Sequence, residues 1–131
     1  QAPFNILDRR LETSGWLEKL NRTGIELHSR SVFLQGLLLQ EKNQRSLYFN
    51  KWNDYFKRLD EWINDTNQTM LGAALNFPYS YEKINKIIVG VQNKSQLTEV
   101  ISSIYQNSQF SIPDELRIDD PMLINPTNWN L

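Results

Sequence analysis

The chain of 131 residues has no cysteine and one histidine. The first absence excludes a disulfide framework, a thiolate metal site and a cysteine nucleophile. It fits a reducing compartment, and a cytoplasmic location is expected. With His28 alone, no second imidazole can complete a histidine metal site, and no metal ligand is assigned. Charge of one sign is lacking too. A net charge of −1 gives no long-range field to attract nucleic acid or an acidic membrane, and neither partner is expected. No apolar run approaches the roughly 18 residues that span a bilayer, and Gln1 begins without the charged and apolar regions of a signal peptide. The chain also opens without Met, as expected of a processed product or a piece of a longer protein.

What is present suffices for a core. Hydrophobic residues make up 40% of the chain, with four Trp, five Tyr and six Phe, and one domain of this length buries roughly two thirds of the surface it exposes when unfolded. Residues 13–23 predict a helix, with Thr13 or Ser14 as N-cap and Gly24 as a left-handed C-cap. Gly24 releases the chain into a strand over 25–30. Phe49, Trp52, Phe56, Leu59 and Ile63 recur at spacings of three and four, predicting a helix whose apolar stripe packs on a sheet. Asn64-Asp65-Thr66-Asn67 offers N-caps for a shorter helix carrying Met70, Leu71, Ala74 and Leu75, ending before Pro78. Residues 87–91 form a continuous apolar run, as expected of a parallel strand covered on both faces. The next helix has Asn93 as N-cap, Gln96 three residues on, and a buried stripe of Leu97, Val100, Ile101 and Ile104. Residues 1–105 thus alternate strands with helices, which argues for a parallel sheet. Residues 106–131, with Pro113, Pro121 and Pro126, predict an extended tail folding back with Trp129 as an anchor. A parallel sheet of three strands leaves two unpaired edges, so self-association through them is expected of the chain on its own.

Two turns carry the chemistry. After the first long strand come Arg30, Ser31, Val32, Phe33, Leu34, Gln35 and Gly36. The Ser31 hydroxyl and the following N–H groups could hold a phosphate, or Gly36 could be an ordinary turn glycine. Arg30, at the carboxyl edge of a parallel sheet, could stack on a flat ring or pair with a neighbouring acid. After the last strand, Gln92, Lys94, Gln96 and Glu99 surround a helix N-terminus: its positive end and Lys94 would suit a phosphate and Gln96 and Glu99 could bond an adenine edge, or they are exposed polar residues at an ordinary cap. Glu26, His28 and Arg30 share one strand face by the period of two and could form a polar ladder.

Three blocks resemble the aldo/keto reductases, (β/α)8-barrel oxidoreductases that use a nicotinamide dinucleotide. Gln1-Ala2-Pro3-Phe4-Asn5-Ile6-Leu7-Asp8-Arg9 resembles the family's sixth strand and loop. Arg30-Ser31-Val32-Phe33-Leu34-Gln35-Gly36-Leu37-Leu38 resembles the seventh strand and its loop, and Ile88-Val89-Gly90-Val91-Gln92-Asn93-Lys94-Ser95-Gln96-Leu97-Thr98-Glu99 the eighth. The resemblance implies the last three strand-helix units of a TIM barrel that binds NADPH and reduces an aldehyde or ketone to an alcohol. Gln1 would bond the nicotinamide carboxamide, and Arg30 would stand where the family has a stacking Tyr or Trp. Residues Ser31, Val32, Phe33, Gln35 and Gly36 would wrap the pyrophosphate, while Gly90, Gln92, Lys94, Gln96 and Glu99 would hold the adenosine and its ribose phosphate. Leu39-Gln40-Glu41 replaces a stretch in which many members carry a phosphate-binding Lys, for which Lys42 or Arg45 could substitute. The catalytic Tyr, Lys, Asp and His belong to the first half of the barrel, so no catalytic residue is assigned here and that N-terminal half is an expected partner beside a small carbonyl substrate. The alternative is a non-catalytic, nucleotide-binding regulatory module on the same fold.

Overall fold

Strands β1 (Ala2–Pro3), β2 (His28–Arg30) and β3 (Lys86–Ile87) lie side by side in chain order, and both pairings are parallel. The structure is a computed structural model, which describes residues 1–105 and 112–131. In register, Ala2 faces Ser29 and Ser29 faces Ile87. Further bonds from Phe4 N to Arg30 O (3.2 Å), Asn85 N to Leu27 O (2.8 Å) and Ile88 N to Ser29 O (2.8 Å) extend the ladder at its ends. The paired strands are shorter than the strand expected over 25–30 and the one that the apolar run over 87–91 predicts. Pairing needs a neighbour, and β3, on the sheet's edge, has one on a single side.

The run over 87–91 is covered on one face only, contrary to expectation. Ile87 and Val89 pack with Val32, Leu75 and Val100, whereas Lys86 and Ile88 are exposed. Alternation along the strand turns successive residues to opposite faces, and the helices lie on one of them. The open face carries a polar cluster in which Glu26 Oε1 meets His28 Nε2 at 2.8 Å and Lys86 Nζ at 2.6 Å. Arg30 stands outside this cluster and donates to Ser31 Oγ at 3.2 Å, so the ladder runs from Glu26 and His28 to Lys86.

The predicted helix over 13–23 is broken in two, α1 (Arg10–Thr13) and α2 (Trp16–Arg22), at Gly15, which has φ +78°. Neither Thr13 nor Ser14 caps it, but Gly24 does take the left-handed conformation. Helix α3 (Asn53–Asp65) follows a 3-10 turn over Leu47–Trp52, and together they bury the whole stripe of Phe49, Trp52, Phe56, Leu59 and Ile63. Its partners include Phe4, Leu37, Phe77 and Leu123. Helix α4 (Met70–Tyr79) is capped by Thr69, whose Oγ1 accepts from Gly72 N at 3.0 Å, and continues through Pro78. The missing N–H costs little there because the last turn is closed beyond it, Ser80 N donating to Asn76 O at 2.9 Å. Helix α5 (Lys94–Tyr105) starts at the predicted cap. Asn93 Oδ1 accepts from Gln96 N at 2.9 Å, and Gln96 Oε1 accepts from Gln92 N at 2.8 Å. Of its predicted stripe Val100 is buried, but Leu97 and Ile101 are exposed.

Residues 106–111, where the tail was expected to begin, lie outside the described residues. Beyond them the chain is not simply extended. Turns over Asp114–Leu116 and Pro126–Asn128 flank a one-turn helix α6 (Pro121–Ile124). Pro121 and Pro126 start helical turns rather than prevent them, because the first helical position has no N–H bond to lose. Leu116, Leu123 and Ile124 are buried, Tyr55 donates to Leu116 O at 2.6 Å, and the Trp129 ring meets Phe49 edge-on at 4.9 Å. Arg9 joins the two ends of the chain. Its buried guanidinium lies over Phe77 at 5.0 Å and donates to Ile6 O, Pro113 O and Asp114. Among the described residues no helix is long and apolar enough to cross a membrane.

Candidate functional site

Because all strands run the same way, the segments leaving β2 and β3 emerge at the same edge of the sheet, the edge where open and closed α/β sheets bind ligands. The turn over 31–36 is unusual in its backbone. Ser31 (φ +59°), Leu34 (+45°), Gln35 (+55°) and Gly36 (+84°) all lie in the left-handed region, which side chains other than glycine enter at a cost of roughly 1–2 kcal/mol each. The surroundings hold that conformation. Leu34 N donates to Ser31 O at 2.9 Å, Leu34, Leu37 and Leu38 are buried as anchors, and Asn5 Nδ2 donates to Ser31 O at 3.0 Å. Asn5 is itself immobilised, its Oδ1 accepting from Leu7 N and Asp8 N at 3.0 and 2.9 Å.

Opposite this turn, residues 88–92 leave β3 and enter α5. Between the two lies an open cleft of about 880 Å³, floored by Met70, Leu71 and Val100. The predicted residues Arg30, Ser31, Val32, Phe33, Gln35, Gly36, Gly90, Gln92, Gln96 and Glu99 all line it. Gln1 and Lys94 are exposed and do not. Arg45 is no substitute cation for the cleft. Its side chain is 6% exposed, stacked over Phe56 at 4.1 Å and paired with Asp60 at 3.6 Å. Lys42 also lies outside the lining.

Arg30 and Glu99 are the charged residues of the lining, so the cleft as a whole is electrically neutral. Gln96 is oriented by the bond it accepts from Gln92 N, which frees its side-chain NH2 as a donor. Gly36 and Gly90 leave open space, an added Cβ at either meeting no atom within 4 Å. The cleft's floor was missed by sequence reasoning. Met70 and Leu71 are apolar residues in the first turn of α4, a pattern that signals only burial, and Asn5 looked like any loop asparagine. No lining residue is a Tyr, His, Lys or Asp, and the tyrosines Tyr48, Tyr55 and Tyr81 are tied to Met122 O, Leu116 O and Glu12. Burial and the Glu12 bond push the Tyr81 phenol up to about 12, and burial raises that of Tyr55 further, so neither is tuned for proton transfer near neutral pH. Among the described residues no His, Cys, Asp or Glu cluster could hold a metal ion.

A search of curated proteins finds none that matches the chain. The family model for the aldo/keto reductase family matches residues 1–118, an interval that takes in all three parallel strands, both turns and the helices between them. With so much of its length matched, the chain belongs to the aldo/keto reductase family.

Proposed function

We propose that the cleft seats a nicotinamide dinucleotide, and that the three strands and their helices are the last units of a (β/α)8 barrel that reversibly reduces a small aldehyde or ketone. The observation that carries this reading is the meeting of the 31–36 and 88–92 segments in one cleft at the carboxyl edge of parallel strands. Family membership makes the protein an oxidoreductase by descent.

The lining fits such a ligand. It combines one guanidinium, a hydroxyl, three carboxamides and a carboxylate with glycines whose backbone a ligand can approach closely. When bound, the dinucleotide supplies the hydride. Arg30 and Ser31, joined at 3.2 Å, would meet its charged or flat portions. The apolar floor of Met70, Leu71 and Val100 would exclude water beneath it. Carbonyl reduction also needs a proton at the oxygen, and the lining offers no group to give one. That group would come from the N-terminal half of the barrel, the part that would also cover the open sheet face, Leu97 and Ile101. On its own, this chain would be inactive and would associate through its open sheet edges. The absence of cysteine accords with a cytoplasmic enzyme.

The test is titration of the full-length protein with nicotinamide dinucleotides, followed by assay with a panel of aldehydes and ketones. Saturable binding with turnover supports the reading. Saturable binding without turnover on any carbonyl would make the fold a nucleotide-binding regulatory module. No saturable binding would remove the ligand from the cleft.

A further inference from the structure

We propose that Asn5 is a positioning residue for the cofactor: its carboxamide holds the Ser31 backbone in the left-handed conformation with which the 31–36 turn meets a ligand. The proposal rests on the seat argued above. It assigns part of that seat's shape to a side chain that touches no ligand, because Asn5 is fully buried and stands outside the cleft's lining.

The parallel register brings the two residues together. Pro3 faces Arg30, and Phe4 N donates to Arg30 O at 3.2 Å, so the chain leaving β1 passes beside the chain leaving β2. Asn5 then divides its two polar atoms. Oδ1 serves its own loop, accepting from Leu7 N and Asp8 N, whereas Nδ2 reaches across to Ser31 O at 3.0 Å. Ser31 O also accepts from Leu34 N at 2.9 Å, so both of its lone pairs are used. That pinned oxygen matters because a trans peptide is planar: the Val32 N–H points to the other side, away from Asn5, and finds no acceptor among the described residues. The same backbone setting aims the Ser31 hydroxyl, which Arg30 meets at 3.2 Å. Arg30, Ser31 and Val32 all line the cleft. Ser31 carries a Cβ and holds φ at +59°, a conformation that it would not keep unaided. Released by Asn5 it would return to negative φ, and the Val32 N–H and the Ser31 hydroxyl, with Arg30 on it, would leave their places together.

Titration of the full-length protein with NADPH and with NADH, followed by quenching of intrinsic tryptophan fluorescence, tests this through a double-mutant cycle. Asn5→Asp keeps the Oδ1 acceptor and removes only the donor to Ser31 O, whereas Asn5→Ala removes both. Each should weaken both cofactors by about tenfold or more, since the turn loses a hydrogen bond and the support of a left-handed residue at once. Ser31→Gly takes the left-handed conformation without help. In that background Asn5→Ala should cost less than about threefold, and Asn5→Asp less than it does beside Ser31. Thermal unfolding of every variant separates affinity from stability. Cofactor affinity unmoved by both Asn5 variants overturns the proposal and leaves the seat standing. So does an equal loss in the Ser31 and Ser31→Gly backgrounds, which is what a role for Asn5 in its own loop alone predicts. Failure of both Asn5 variants to fold overturns it as well, because Asn5 would then serve the fold and not the turn. If neither cofactor saturates the wild type, the seat itself falls and the proposal with it.

Discussion

Replacing Gly90 by alanine should move stability and ligand affinity in opposite directions. Gly90 has no positive φ, unlike Gly15, Gly24 and Gly36, so an L-residue fits its backbone without strain. An added Cβ meets no atom within 4 Å. Under those conditions a Gly→Ala change stabilises by about 0.4–1 kcal/mol, because the unfolded chain has less conformational freedom to lose. In a unit of this size that corresponds to a rise in Tm of about 1–4 °C. The same open space is where a dinucleotide would approach the backbone, so a methyl group should weaken binding by about tenfold and Gly90→Leu by at least about a hundredfold, or about 2.7 kcal/mol. Thermal unfolding and cofactor titration on the same preparations supply both numbers. Wild-type affinity in the Leu variant would refute the assignment of the cleft, and a loss of more than about 1 kcal/mol of stability in the Ala variant would refute the backbone argument.

Other perturbations test how the site is supported. Arg9→Met removes the donors to Ile6 O and Pro113 O and the stack on Phe77. It should cost about 2–4 kcal/mol in urea denaturation, while Asp114→Asn should change little because the Asp114 side chain is 94% exposed. Gln35→Gly relieves a left-handed φ and should stabilise by up to about 1 kcal/mol, measurable as a shift of the denaturation midpoint. The Glu26 carboxyl is lowered from 4.5 to about 2, first by its bond to Lys86 and then by His28. A depressed folded value favours the native state above the unfolded pKa, so this contribution is lost as pH falls from about 4.5 toward 2. Acid titration of Glu26→Gln should show a shallower decline across that window than the wild type.

Local signals with a mechanism were legible. The stripe of Phe49, Trp52, Phe56, Leu59 and Ile63, the left-handed Gly24 and the Asn93 cap on Gln96 N each depend on residues close in sequence, and all are present. The parallel order of the strands follows from the alternation of elements. What failed depends on neighbours that a sequence does not name. The length of β2 and β3 is set by pairing partners, and the exposure of Leu97 and Ile101 by what is packed beside α5. Pro78, Pro121 and Pro126 were read as breakers, although a proline at the first helical position loses no bond and α4 carries Pro78 in its last turn, closed by Ser80 N on Asn76 O. At the site, the two turns and most of their residues were visible as polar groups after apolar runs. The left-handed backbone at Ser31, Leu34 and Gln35 was not, since these residue types give no sign of it. Nor was the diversion of Arg45, whose burial depends on Phe56 and Asp60 from α3.

The account turns on one ligand bridging two distant segments of chain, and amide hydrogen exchange of the full-length protein with and without NADPH or NADH measures that directly. Exchange should slow together in residues 31–36 and 88–92, with β1 unaffected. Slowing confined to one of those segments, or to neither at saturating cofactor, would contradict a shared seat.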